Sequence, residues 1–327
     1  MPTSPYRRFG ALILAAALLA AIVAFAETAP AAWRGANGPV VFAGGTAAEG
    51  NGLWAAKMGW RNPRHLTADP TDSEPQSSPN GKRIVFVRSV DTPLPGGGGG
   101  TFPARHIFTA RVDGTGVHPV TGGPNFDQNP SFAPSGNRIL FARFEPGASQ
   151  ADIWSVRLDG TKLHRITSGP PDDRHPVFSP TGKIIAFDRF EQGGTRHIHT
   201  MRPNGSRIRE TTPQIAAWTS QPDFNPAGNR IVFVKAFPGE AASTVWQMRP
   251  DGKKLRRLAA MRSSGGGYAE PVYSPNGRRL VVELTGDAKF SKLRLINLRT
   301  LRSAGILAGG QTAKQTPDAH SPVWVAQ

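Results

Sequence analysis

The sequence contains no cysteine. That excludes disulfides, Cys-ligated zinc, iron–sulfur clusters, thiol catalysis and a lipidated N-terminal cysteine. Acidic residues are scarce: Asp and Glu total 23 against 39 Lys and Arg, a net charge of +16. Such a surplus bears on partners and solubility rather than on fold. After residue 26 no apolar run is long enough for a membrane-spanning helix, which needs about 20 residues. Glycine and proline are plentiful, at 37 and 30 of 327 residues. That is about a fifth of the chain, short of the roughly 25–30% of low-complexity sequences. The chain is turn-rich, and its 38% hydrophobic content suffices for a core.

The N-terminus reads as an address. Arg7 and Arg8 precede the apolar segment Ala11–Ala26, which ends in the small-x-small signal Ala24-Phe25-Ala26 before Glu27. The expectation is a secretory signal peptide over residues 1–26, a short Ala/Pro-rich tether over 27–37 and one folded unit over 38–327. The protein is then exported: periplasmic, in the cell envelope or extracellular. Retention of the segment as an anchor is the alternative.

An internal repeat decides the architecture. The phrase Ser78-Pro79-Asn80-Gly81-Lys82-Arg83-Ile84-Val85-Phe86 recurs, with variations, around Pro134, Pro180, Pro226 and Pro275. These prolines are spaced by 55, 46, 46 and 49 residues. A second phrase keeps time with the first: Asp113-Gly114, Asp159-Gly160, Asn204-Gly205 and Asp251-Gly252. Pro-x-Gly is a turn, because Pro presets φ and Gly takes φ > 0. The β-branched and aromatic run after it is a buried strand. A second alternating strand follows, such as Asp152–Arg157, then an Asp-Gly hairpin turn and a short outer strand. Four short strands per period of about 40–50 residues mark a propeller blade.

Second strands begin near Val40, Ile84, Ile139, Ile185, Ile231 and Leu280, but only five inner strands precede a repeat proline. The chain end, His320-Ser321-Pro322-Val323-Trp324-Val325, reads as the missing inner strand of the first blade. The expected fold is all-β: a six-bladed β-propeller with the C-terminal strand closing the first blade, leaving no long free edge. A β-sandwich or an open solenoid is the competing architecture.

The phrase Ser-Pro-Asn/Thr-Gly-Lys-Arg-Ile-x-Phe, followed by an Ile-Trp-x-Val/Met strand and an Asp-Gly turn, resembles the TolB-type WD-like propeller repeat. The resemblance covers about residues 38–327. It implies a propeller alone, without the α/β domain that precedes the propeller in full TolB. The hydrolase domain of prolyl oligopeptidase-like relatives is not expected either, and no Gly-x-Ser-x-Gly elbow occurs. The function implied is a binding scaffold for a protein or polymer in the cell envelope. The alternative is an enzyme at the channel mouth, of the polysaccharide lyase or lactonase-like type.

Propellers bind at one end of the central channel. The residue before each inner-strand proline occupies an equivalent ring position: Glu74, Asn129, His175, Gln221, Glu270 and Ser321. One step back lie Arg174 and His320; two steps back lie Asp72, Asp127 and Asp173. A polar ring on one axis can hold a sugar, a metal or a peptide end. Equally, it can cap strand ends and hydrogen-bond channel water. Glu74 and Glu270 are expected roughly opposite each other, so no metal, no cofactor and no catalytic set is assigned. His197-x-His199 has chelating spacing but is expected to be a solvated strand face. The loop Asp91–Pro103, with Gly96–Gly100, is not a phosphate loop and reads as a mobile flap. Basic residues cluster in the outer strands, among them Arg61, Lys162, Arg165, Arg207, Lys253 and Lys254. They resist edge-to-edge pairing or attract anionic material. The expected partner is an envelope protein or an anionic envelope polymer. Nucleic acid is not expected, nor an integral span after signal cleavage, and the chain is expected to be a monomer.

Overall fold

The computed structural model describes residues 35–46, 50–57, 61–93, 100–191, 193–237, 242–259, 266–286, 292–305 and 318–327. The signal segment and most of the tether lie outside the described residues. Among those described there are 24 strands and no helix.

The strands fall into repeating groups of four. The first group holds β1 (Asn37–Thr46), β2 (Gly50–Lys57) and β3 (Arg61–Thr67). The second is β4 (Ser73–Ser77), β5 (Arg83–Pro93), β6 (Thr101–Arg111) and β7 (His118–Pro119). The third is β8 (Phe126–Phe132), β9 (Arg138–Phe144), β10 (Asp152–Arg157) and β11 (His164–Arg165). The fourth is β12 (Asp172–Phe178), β13 (Ile185–Phe190), β14 (Arg196–Met201) and β15 (Arg209–Glu210). The fifth is β16 (Trp218–Phe224), β17 (Ile231–Ala236), β18 (Ser243–Met248) and β19 (Arg256–Ala259). The sixth is β20 (Gly266–Tyr273), β21 (Arg279–Gly286), β22 (Lys292–Asn297) and β23 (Ser303–Gly305). Within each group the strands pair antiparallel in sequence order; one parallel bridge, Arg105 to Phe126, joins the second and third groups. The last strand, β24 (Asp318–Ala326), pairs antiparallel with β1, with Val40 opposite Trp324 and Val41 opposite Val323.

Local chemistry explains the repeat. In the Pro-x-Gly turns, Gly182 N–H donates to the Ser179 carbonyl (2.8 Å) and Ser179 N–H to that of Ile184 (2.8 Å). The Ser hydroxyl accepts from Ile184 N–H as well (3.2 Å). The strand that follows is an unbroken apolar run, Ile84-Val85-Phe86-Val87 in the second group, and all four residues are fully buried. Alternation is lost because each sheet is covered on both faces by its neighbours. Cross-strand aromatic positions, Phe42 opposite Trp54 and Phe141 opposite Trp154, widen these contacts.

The core therefore lies between sheets. One cluster joins the sixth group to the first through Val272, Val281, Leu293, Val40, Phe42 and Trp324. Another joins the first to the second through Val41, Leu53, Val323, Ile84 and Phe86. The inner strands touch in the sequence β4, β8, β12, β16, β20, β24, and β24 touches β4 again. Ser77 Oγ donates to the Trp324 carbonyl (2.7 Å). Gly81, at φ 64°, packs so closely on the end of β24 that a Cβ there would lie 1.9 Å from the Ala326 oxygen. No other residue type fits.

Two expectations are corrected. The Asp91–Pro103 insertion is in part a ladder, because β5 and β6 pair out to Pro93 opposite Thr101. Only its tip, including Gly96–Gly99, lies outside the described residues, so the flap reading does not cover the whole segment. Glu74 and Glu270 are not opposite: β24 touches both β20 and β4, so the two residues flank it.

Removing residues 318–327 deletes the β1 ladder and the buried Trp324. We expect a loss of at least about 3–5 kcal/mol, read as a large fall in thermal midpoint by circular dichroism. An unchanged midpoint contradicts a structural role for β24.

Candidate functional site

Each inner strand breaks its register at the residue before its proline. In β12, Arg174 pairs with Asp188 and Val177 with Ala186, so His175-Pro176 bulges. Equivalent shifts occur in β4, β8, β16, β20 and β24. The bulged residue is left-handed in all six: Glu74 (φ 53°), Asn129 (56°), His175 (51°), Gln221 (55°), Glu270 (49°) and Ser321 (51°). Non-glycine residues in this region carry roughly 1–3 kcal/mol of strain each. Proline at the next position needs no N–H partner, which suits a bulge.

The strained residues are 0–4% exposed, and their N–H groups leave their own ladder. Asn129 N–H donates to Glu74 Oε2 (2.5 Å) and His175 N–H to Asn129 Oδ1 (3.4 Å). Glu270 N–H donates to Gln221 Oε1 (3.1 Å). Two further junctions use an acid from a second strand instead: Gln221 N–H donates to Asp188 Oδ2 (2.9 Å) and Ser321 N–H to Glu283 Oε2 (3.4 Å). In every case the acceptor belongs to the preceding group. The ring positions thus stitch one sheet to the next.

Asp188 also pairs with two basic side chains. His175 Nδ1 lies 2.6 Å from Asp188 Oδ2, and Arg196 Nη1 donates to Asp188 Oδ1 (2.7 Å). Burial would raise the Asp188 pKa, but the His175 ring and the Arg196 guanidinium outweigh it and hold the carboxyl at about 2.

Two residues before the ring position a second pattern repeats. Asp72, Asp127 and Asp173 each receive a two-pronged fork from Arg88, Arg143 and Arg189, at 2.6–2.9 Å and sixteen residues on. Each arginine lies over the aromatic ring two residues before it, at 5.2–5.6 Å. Burial raises the Asp72 and Asp173 pKa values, opposed by the paired arginines. The fifth group has Thr219 opposite Lys235 at this position, and the sixth has Tyr268 opposite Leu284. Among the described residues the charged forks therefore occur in the second, third and fourth groups.

Three more arginines complete this side. Arg105 donates to Glu74 Oε1 (2.6 Å) and Ser73 Oγ (3.1 Å). Arg174 pairs with Asp172 (2.8 Å) and lies over Phe144 (4.9 Å). Arg196 lies over Phe190 (5.5 Å). Their side chains remain 12–15% exposed.

The structure brings Glu74, Asn129, His175, Gln221, Glu270 and Ser321 to equivalent positions. The His320 side chain lies outside what is described. His197 pairs with Glu210, and His199 with Glu191 (3.3 Å), so the two rings meet different carboxylates. Among the described residues no group of three or more His, Asp or Glu side chains could hold a metal ion. Asp188, Glu283, Arg105 and Arg196 were not singled out from the sequence. The available signal was a lone acid in an apolar run: Phe187-Asp188 stands where other repeats have Phe86-Val87 or Phe141-Ala142.

The family profile described as the TolB beta propeller domain matches residues 104–324. No curated protein matches the sequence. Among solved structures, TolB from Acinetobacter baumannii is similar at TM-score 0.69 and 18% identity, over 100% of this chain and 74% of that one. A chain of the nidogen/laminin complex is similar at TM-score 0.59 and 11% identity, covering 81% and 92%. Oligogalacturonate lyase from Vibrio parahaemolyticus is similar at TM-score 0.52 and 13% identity, covering 74% and 71%. At such identities these likenesses establish the fold alone.

Asp188→Asn leaves Arg196 without its counter-charge and His175 without its carboxylate partner. We expect it to cost about 3–5 kcal/mol at pH 7. The folded carboxyl titrates below its unfolded value near 3.9, so its stabilisation is complete above about pH 4 and is lost as pH falls toward 2. Urea unfolding of both proteins from pH 7 to pH 2.5 checks this: the gap between them should narrow in acid. A gap that stays constant contradicts this pairing.

Proposed function

We propose that this chain, which belongs to the TolB β-propeller family, is an exported six-bladed propeller, closed by β24, that serves as a binding scaffold in the cell envelope. Its partner is an envelope protein or an anionic envelope polymer, held at the channel mouth. The signal-like segment 1–26 supports export. The cyclic contacts of the inner strands support six blades and closure.

One observation carries the binding reading. The polar ring of Glu74, Asn129, His175, Gln221, Glu270 and Ser321 is buried beneath the mouth and bonded from sheet to sheet. It acts as a rigid floor. Above it, Arg105, Arg174 and Arg196 are pre-oriented by carboxylates and aromatic rings while keeping an exposed edge. Arginine so held recognises a carboxylate or phosphate through paired N–H groups with little further ordering. The charge lies on three consecutive blades, so the ligand lies off the axis.

A mouth enzyme of the lyase or lactonase-like type is the second reading, supported by the fold shared with oligogalacturonate lyase. A divalent metal retained through purification, with turnover of an acidic oligosaccharide, favours it over the scaffold.

Crosslinking in intact cells, followed by identification of the attached molecule, finds the partner. Arg105→Ala combined with Arg174→Ala should weaken its binding at least about tenfold. Lys253→Ala with Lys254→Ala should change it less than about threefold, because exposed charges are individually weak. The reverse order sinks the mouth reading.

A further inference from the structure

The end of the molecule opposite the mouth carries a different repeat. There the Pro-x-Gly turns abut the turns between third and fourth strands: Val112 N–H donates to the Lys82 carbonyl, Leu158 to Asn137 and Leu298 to Arg278, each at 3.0 Å. Each third-to-fourth turn has a second left-handed residue besides its glycine in the third, fourth and fifth groups: Lys162 (φ 56°), Arg207 (59°) and Lys254 (56°). All three are exposed cations. The backbone geometry lifts the next residue, an aliphatic one, out of the ladder.

Those aliphatic residues are the unusual feature. Among the described residues five large hydrophobics are exposed: Val117 (37%), Leu163 (44%), Ile208 (40%), Leu301 (37%) and Phe237 (45%). Four of the five sit in this one turn of different groups, and Leu255 occupies the same place, half-buried, in the fifth. Val117 follows Gly116, itself left-handed at φ 66°, and Leu301 is left-handed at φ 54°. A scattered exposed leucine needs no explanation, but a set repeated on one face does.

Charge on the two ends differs in kind. At the mouth, arginines are matched to carboxylates. On the turn face the acids at these turns are Asp113 and Asp159, both exposed, and Asp251, half-buried. The Thr115 N–H bonds to Asp113, the Thr161 hydroxyl and N–H to Asp159 and the Lys253 N–H to Asp251, which lowers their pKa values. They are occupied within their own turns, and Asp251 also lies 3.5 Å from Arg249. Around them stand Lys162, Arg207, Arg209, Lys253, Lys254 and Arg256, all exposed. No ion pair is found for these six among the described residues.

We propose that this turn face docks on an anionic lipid bilayer, with the aliphatic tips entering the headgroup region and the flanking Lys and Arg meeting lipid phosphates. Apolar tips set in a cationic ring suit a surface that is anionic outside and apolar just beneath. A soluble polyanion matches the cations but leaves the tips without a role. The docking stands apart from the mouth, which would face away from the bilayer and stay open to its ligand.

The test uses the chain beginning at Glu27, because every described strand lies beyond that point. It should sediment with phosphatidylcholine vesicles that contain phosphatidylglycerol and not with phosphatidylcholine alone. The triple variant Lys162→Glu, Arg207→Glu, Lys254→Glu should lose this binding by at least about tenfold. Leu163→Ser with Ile208→Ser should weaken it severalfold while leaving binding of soluble polyphosphate unchanged. The absence of cysteine allows a direct reading of depth. A polarity-sensitive dye on Leu163→Cys should shift to the blue with anionic vesicles, whereas the same dye on Ser149→Cys, exposed in the loop between β9 and β10, should not. Equal responses at the two sites overturn the proposal. So does vesicle binding that ignores the tips, which would mark a polyanion surface instead.

Discussion

The fold depends on one repeated constraint: a left-handed residue immediately before a proline in each inner strand. An L-residue resists that geometry, and glycine would adopt it freely. Yet all six positions carry side chains with polar atoms: Glu, Asn, His, Gln, Glu and Ser. The strain is tolerated because the bulge turns the N–H toward the neighbouring sheet, where a side chain of the preceding group accepts it. Glycine would keep the bulge but could not accept the next bond in the circle. Asn129, His175, Gln221, Glu270 and Ser321 therefore donate across a junction, and Glu74, Asn129 and Gln221 accept across one.

Where the ring residue is a poor acceptor the sequence compensates. His175 supplies a ring rather than a carbonyl oxygen, and Asp188 takes over the bond to Gln221 while pairing with His175 itself. At the Ser321 junction Glu283 is the acceptor, although the ring residue of that group, Glu270, carries a carboxylate of its own. The substitution places a buried acid where other repeats have a valine or alanine, and it draws Arg196 into the mouth as counter-charge. The cluster of charge around Asp188 thus grows out of a hydrogen-bonding requirement between sheets. The opposite end shows the converse, with cations left exposed around apolar tips.

Much of this was legible in the sequence. The ring positions could be found because each precedes a repeat proline, and the strand starts because each follows Pro-x-Gly. What the ring does was not legible: N–H direction depends on φ, and nothing in a one-dimensional string predicts a left-handed glutamate or glutamine. Glu74 and Glu270 were misplaced even though the terminal strand was assigned to the first blade: with only β24 between β20 and β4, the two residues flank one strand rather than face each other. The sixteen-residue spacing of Asp72 and Arg88, repeated at Asp127 and Asp173, was readable but meaningful only once register set the two strands opposite. The insertion at Asp91–Pro103 looked like loop because of its glycines, yet ladder pairing extends to Pro93.

The most direct test of the sheet-to-sheet stitch compares Asn129→Gly with Lys162→Gly. Both native residues sit at φ 56°, so glycine relieves the same backbone strain at each. Asn129 bonds across two junctions, to Glu74 and to His175, whereas Lys162 is an exposed turn residue. Equilibrium urea unfolding should find Asn129→Gly destabilised by about 1–3 kcal/mol and Lys162→Gly neutral or slightly stabilised. Equal effects at the two sites would mean that the ring side chains are incidental and that packing alone holds the sheets together.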